Sequence, residues 1–213
     1  MYLKLNHVTK VIKGNPLLDG IDLELEKGKI YGLQGKNGSG KTLLLKAMCG
    51  LLIPTEGTVE VNGEVLGKDM DFPKDVGVLI ENPGFIAGYT AFKNLKVLAD
   101  IQKKISDEEI RKILEEVGLG DCGKKKYRNF SLGMKQKLGI AAALMENPEL
   151  ILLDEPTNAL DEKSVRDLRD ILEKRREKGA LIVVASHDKE ELEILSDQIF
   201  VIEKGKIIGT RKK

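Results

Sequence analysis

The sequence predicts an α/β fold: a mostly parallel sheet with a glycine-rich loop, an antiparallel β subdomain beside it, and an inserted helical subdomain. Three observations lead there. First, Gly35-Lys36-Asn37-Gly38-Ser39-Gly40-Lys41-Thr42 has the pattern G-x-x-x-x-G-K-T. An apolar-rich stretch precedes it and a helix-forming run, Leu43-Leu44-Leu45-Lys46-Ala47-Met48-Cys49, follows, with Gly50 as a stop. Second, Leu150-Ile151-Leu152-Leu153 and Ala180-Leu181-Ile182-Val183-Val184-Ala185 are continuous apolar runs, as expected of strands buried on both faces. Third, the pattern turns helical at about residues 88–145, which makes that stretch an insertion in a single domain spanning 1–213.

The remaining elements follow in order. Residues 2–10, 17–25 and 57–62 are short, partly alternating stretches, and read as the antiparallel layer. His7 falls in the first of them and reads as an ordinary polar edge residue. Asp75-Val76-Gly77-Val78-Leu79-Ile80 reads as a buried strand ending in a turn, Glu81-Asn82-Pro83-Gly84. Helices begin near Thr90. Ser106-Asp107-Glu108-Glu109 is a capping box for a helix with Ile110, Ile113, Leu114 and Val117 on one face and Gly118 as its stop. Ser131 stands where the next helix needs an N-cap. Asp161 caps a charged helix carrying Val165, Leu168, Ile171 and Leu172 and ending at Gly179. A short helix at 189–195 and strands around 199–202 and 207–208 close the pattern.

Bulk properties exclude little and favour no polyanionic partner. Lys and Arg number 35 against 34 Asp and Glu, a formal net charge of +1, so nothing points to nucleic acid. Lys124-Lys125-Lys126 reads as a solvated loop. Cys49 and Cys122 fit no metal spacing and suggest a reducing compartment. The first residues lack the apolar region of a secretory leader, and no apolar run approaches the ~18 residues that span a bilayer. Work at a membrane would need other chains.

The chemistry concentrates at strand ends, where open parallel sheets bind ligands. Glycines at 35, 38 and 40 let several backbone N–H groups converge on a phosphate, and the helix start adds partial positive charge. Lys41 supplies a full charge to the β- and γ-phosphates, and the Thr42 hydroxyl can ligate Mg²⁺. Asp154, after four apolar residues, is placed to hold Mg²⁺. Glu155 beside it is a candidate general base for attacking water. His187, after the next apolar run, can bond the γ-phosphate and orient that water. Singly, each carboxylate also suits a turn or a helix start, and His187 a structural role; together with the phosphate loop they form a site.

In order and combination, these segments resemble the ATP-binding-cassette (ABC) ATPase family along essentially the whole chain. The matching residues are 35–42 (Walker A), Glu81 at the Q-loop position, and Phe130-Ser131-Leu132-Gly133-Met134 at the signature position, followed by Gln136 and Lys137. Next come 150–155 (Walker B), Asn158-Ala159-Leu160-Asp161 (D-loop) and His187 (H-switch). The resemblance implies a P-loop NTPase with an ABC-type core that binds and hydrolyses ATP with Mg²⁺ held by Thr42, Glu81 and Asp154. It also implies a head-to-tail pair of subunits, each ATP gripped by one Walker A loop and by Ser131, Gly133 and Asp161 across the interface. A separate transmembrane permease would be the partner, with this chain cytoplasmic and peripheral on the inner face of the membrane.

Several residues depart from the family pattern. Glu81 replaces a neutral glutamine, so metal ligation should survive but an extra negative charge stands near the γ-phosphate and should weaken ATP capture when metal is scarce. Leu132 replaces a glycine of the signature. Ile12 takes the position of the aromatic that stacks on adenine, which predicts loose base selectivity. These departures resemble the bacitracin- and lantibiotic-type efflux ATPases. A soluble ABC ATPase without a transport role, for example in iron–sulfur assembly, stays open as the alternative, though the two cysteines lend it no support. A kinase or switch GTPase leaves the Ser131 region and His187 unexplained.

Overall fold

Alternating and continuous apolar patterns form two different sheets. The structure, a computed structural model, describes residues 1–81 and 84–213; the turn expected at Asn82 and Pro83 lies outside the described residues. Strands β1 (Leu3–Ile12), β2 (Asn15–Leu25), β4 (Glu56–Val61) and β5 (Glu64–Val65) pair antiparallel in the order β2-β1-β4-β5. Strands β3 (Ile30–Gln34), β6 (Val76–Leu79), β7 (Leu150–Asp154), β8 (Leu181–Ser186), β9 (Gln198–Glu203) and β10 (Lys206–Lys212) form the second sheet, in the order β10-β9-β3-β8-β7-β6. All its pairings are parallel except the β9–β10 hairpin.

The parallel strands separate two cores by their two-residue period. Ile30, Ile151, Leu153, Ile182 and Val184 face one way, toward α2 (Ala91–Gln102), α3 (Asp107–Glu116), α4 (Leu132–Leu144), α5 (Glu162–Glu177) and α6 (Lys189–Leu195). Tyr31, Leu33, Leu150, Leu152, Leu181 and Val183 face the other way, toward α1 (Lys41–Met48) and the antiparallel sheet. Burial on both faces explains why β7 and β8 read as unbroken apolar runs.

The helices between β6 and β7 are fixed by the caps their sequence announces. Thr90 accepts from Lys93 N at the start of α2. Ser106 Oγ accepts from Glu109 N (3.3 Å) while the Glu109 carboxylate accepts from Ser106 N (2.7 Å), so the capping box at α3 is complete. Ser131 Oγ accepts from Met134 N at the start of α4. The lysine-rich loop forms short 3-10 turns tied to the segment before α2, with Tyr127 N donating to Tyr89 O and Arg128 N to Ala87 O.

Three details differ from the sequence reading. β6 is an edge strand, so Val76 and Val78 are only half-buried. His7 is not a regular edge residue: it has φ +49 at an irregularity in β1, and its backbone N–H donates to Asp22 Oδ1 at 2.7 Å. The first hairpin is also tighter, with β1 reaching Ile12 and β2 starting at Asn15.

Gly77 shows how closely the inserted helices meet the sheet. A Cβ there would collide with the Ala143 carbonyl oxygen of α4 and lie 2.7 Å from Pro148 Cγ. Gly77→Ala is therefore expected to destabilise the fold by about 1–3 kcal/mol, read from the urea midpoint; an unchanged midpoint would show that β6 and α4 separate freely.

Candidate active site

The glycine loop is shaped by contacts that a side chain would break. At Gly35 a Cβ would collide with Ser39 Oγ and come within 2.5 Å of the Ile202 carbonyl oxygen. Gly40 caps α1 with φ +110. Ser39 N donates to Lys36 O, and Ser39 O accepts from Gly205 N at 2.9 Å, which ties the loop to the β9–β10 turn. Lys36, Asn37 and Gly38 are exposed. Lys41 is only 5% exposed. Its Nζ donates to the carbonyls of Gly35 (2.7 Å) and Lys36 (3.3 Å) and lies 3.5 Å from Glu155 Oε1.

The ends of β7 and β8 bring acidic groups to the same place. Thr42 Oγ1 donates to Asp154 Oδ2 at 2.5 Å, while Asp154 Oδ1 is buried without a hydrogen-bond partner. Burial pushes the Asp154 carboxyl above the usual aspartate range, and neighbouring Glu155 adds to the rise against the opposing pull of Thr42 and Lys41. Glu155 sits in a left-handed backbone conformation, φ +46, with its N–H donating to Ala185 O. Its Oε2 lies 2.8 Å from His187 Nδ1. Glu81, with φ +58, pairs with Lys46 Nζ at 2.6 Å. Glu81, Asp154 and Glu155 line one cleft of about 390 Å³ with Leu132, Gln136 and Asn158.

The Asp154 and Thr42 oxygens suit a hard divalent cation. An unpartnered buried carboxylate oxygen beside a hydroxyl, with remaining positions left to water and phosphate, is a donor set that fits Mg²⁺. No cluster of three or more acidic, His or Cys groups able to hold a metal exists among the described residues, so protein ligands would be few.

The sequence-predicted residues fall into two groups. Residues 35–42, Glu81, Asp154, Glu155 and His187 converge on the carboxyl edge of the parallel sheet. Ser131, Gly133 and Asp161 line a separate groove of about 730 Å³ with Met134 and Lys137. There Asp161 Oδ1 accepts from Ser164 N at 2.8 Å, and a Cβ on Gly133 would lie 2.7 Å from Ala159 O. Ile12 lines neither; it lies at the end of β1 opposite Asn15, 44% exposed. One contact the sequence did not announce joins the groups: Gln136 Nε2, on α4, donates to the carbonyls of Glu155 (3.0 Å) and Pro156 (3.1 Å). Spacing gives no sign of this contact, since the partners are backbone atoms of another element.

A strand feeding a glycine loop into a helix, with the loop's threonine bonded to a carboxylate at a neighbouring strand's end, defines a phosphate-loop nucleoside triphosphatase. Residues 18–158 match the family described as ABC transporter. The chain is 48% identical over 206 residues to the uncharacterized ABC transporter ATP-binding protein YybJ of Bacillus subtilis (strain 168), covering 97% of this chain and 94% of the relative. It is 40% identical over 208 residues to the bacitracin transport ATP-binding protein BcrA of Enterococcus faecalis (97% of this chain, 68% of BcrA). It is 38% identical over 207 residues to the lantibiotic transport ATP-binding protein SrtF of Streptococcus pyogenes (97% and 89%). A dimeric bacterial ABC transporter cassette of known structure superposes with a TM-score of 0.90 at 26% identity, over 99% of this chain and 98% of that one. The chain belongs to the ABC transporter family and is one of its ATP-binding, ATP-hydrolysing subunits. Among the described residues no helix is long and apolar enough to cross a membrane.

The raised pKa of Asp154 fixes a sign. A carboxyl whose folded pKa lies above its unfolded value favours folding when protonated, and that contribution is lost as pH rises through the folded pKa. Asp154→Asn, neutral at every pH, should therefore melt higher than the wild type at neutral pH without nucleotide. The gain should shrink as pH falls toward the usual aspartate range; a lower melting temperature at neutral pH would contradict the assigned environment.

Proposed function

We propose that this chain is the motor of an exporter, hydrolysing Mg²⁺-ATP between two of its own copies on the inner face of the cell membrane. A separate permease would carry the cargo, a peptide antibiotic or similar amphiphile. The cargo class rests on BcrA and SrtF, whose names record bacitracin and lantibiotic transport. One observation carries the pairing: Ser131, Gly133 and Asp161 line a groove apart from the phosphate loop of the same chain. Ser131 and Gly133 open α4, an anion-favouring helix start, and a second copy in head-to-tail contact would bring such a start to the exposed side of the phosphates. In this arrangement residues 88–145 act as the helical lobe that presents the second half-site.

The chemistry follows from the side chains at the sheet edge. Lys41 turns from the Gly35 and Lys36 carbonyls to the β- and γ-phosphates, and the loop N–H groups of residues 35–40 bind the rest of the triphosphate. Thr42 and Asp154, with Glu81 as a further ligand, would hold Mg²⁺, which would supply neutralisation of the triphosphate charge. Glu155 accepts a proton from the water attacking the γ-phosphorus, and the bond from that phosphorus to the bridging oxygen breaks to give ADP and phosphate. His187, 2.8 Å from the Glu155 carboxylate, holds the base in line and bonds the γ-phosphate.

Glu155→Gln should bind ATP, form a stable dimer and hydrolyse at least ~100-fold more slowly, because the base is lost while the triphosphate replaces Glu155 as the counter-charge of Lys41. Wild-type turnover in that variant would reject the role. Glu81→Gln should shift the Mg²⁺ dependence of ATP binding; superimposable titrations of variant and wild type would reject Glu81 as a ligand.

A further inference from the structure

Three carboxylates line the cleft of Glu81, Asp154 and Glu155, and α1 places an ammonium on two of them. Lys41, at the start of the helix, faces Glu155 at 3.5 Å. Lys46, five residues on, holds Glu81 Oε1 at 2.6 Å. Glu81 is the residue that adds a charge where the family pattern has a neutral amide. Its left-handed backbone, φ +58, lies just past the end of β6, so the direction of its side chain depends on what restrains it. Among the described residues, Lys46 is the restraint. The pair is partly exposed, with side-chain exposures of 28% and 64%, so it contributes little to fold stability. Its effect is expected on a polyanion entering the cleft, because a triphosphate meets the net charge of the lining.

We infer that Lys46 is a positioning residue specific to this carboxylate variant of the cassette. Its ammonium compensates the Glu81 charge at the cleft and fixes that carboxylate until Mg²⁺ or phosphate rearranges the cleft. The inference rests on the reading of this cleft as the phosphate side of the ATP site. It goes further in assigning Lys46 and Glu81 as one unit: without Glu81, Lys46 should be dispensable for nucleotide capture.

A double-mutant cycle tests this through binding rather than turnover. ATP affinity would be measured in EDTA for the wild type, Lys46→Met, Glu81→Gln and the double variant, with thermal melting to confirm folding. Lys46→Met should weaken metal-free ATP binding about tenfold when Glu81 is present, and less than about twofold in the Glu81→Gln background. Lys46→Arg should retain near-wild-type affinity. An equal loss in both backgrounds, or no loss in either, overturns the inference. Two controls separate it from the readings beneath it. Undiminished ATP binding by Lys41→Met would sink the site itself. Identical Mg²⁺ dependence of wild type and Glu81→Gln, with the Lys46 coupling intact, would reject only Glu81 as a metal ligand.

Discussion

The structure depends on one buried cation. Lys41 is almost inaccessible, and an ammonium removed from water must be compensated by oxygen acceptors and opposite charge. Its three partners come from two segments: the Gly35 and Lys36 carbonyls from the loop after β3, and the Glu155 carboxylate from the end of β7. Satisfying Lys41 therefore requires β3 and β7 to be in register with β8 between them, and the loop to fold back over its own helix. The parallel sheet supplies that register, with Ile30 opposite Ile182 and Ile151 opposite Ile182 on the other side. A triphosphate offers Lys41 stronger partners than two carbonyls, so the same constraint that closes the loop prepares it for ligand.

From that edge the rest of the architecture can be assigned a purpose. The antiparallel sheet covers α1 and the back of β3, and its β2 approaches the loop: Asp19 N donates to Gly205 O while Gly205 N donates to Ser39 O. The helices on the opposite face stand outside this lattice. They reach it through packing at Gly77 and through Gln136, whose amide holds the carbonyls of Glu155 and Pro156. Gln136 lies on the same helix that Ser131 opens, so the groove around Ser131 and the backbone of Glu155 share one rigid element. A contact made at Ser131 is therefore linked through α4 to the backbone of Glu155.

Most of the fold could be read from the sequence because its patterns are local. The runs at 150–153 and 180–185 became β7 and β8, the capping residues Ser106, Ser131 and Asp161 cap as their spacing predicts, and Gly50, Gly118 and Gly179 follow helix ends with positive φ. The family resemblance, carried by short motifs, agrees with the match over residues 18–158. What escaped depends on partners far along the chain. The edge position of β6 follows from strand order, which no window of sequence contains. The bonds of Gln136, and the Lys46–Glu81 pair across 35 residues, join side chains to positions fixed only by packing. Ile12, given a role by resemblance alone, lies exposed at the end of the first hairpin.

The least legible feature is backbone strain. Glu81, Glu155 and Ala159 all adopt left-handed conformations, with φ of +58, +46 and +63, at or beside the two clefts. Glycine would accept such angles freely, whereas a residue with a Cβ meets a penalty of about 1 kcal/mol or more. At two of the three positions glycine would also remove a carboxylate, so the strain is a consequence of needing charge at a turn. Something must hold each turn against relaxation. At Glu155 it is the bond from its N–H to Ala185 O together with the Gln136 amide on its carbonyl. At Glu81 the side-chain tether is Lys46. At Ala159 the carbonyl lies against Gly133, where even a methyl group would intrude, so the D-loop turn and the first turn of α4 hold each other in place. Strain at the carboxylates and close packing at the signature position therefore have one effect: acidic groups and a helix start are kept at fixed positions on the rims of the two clefts.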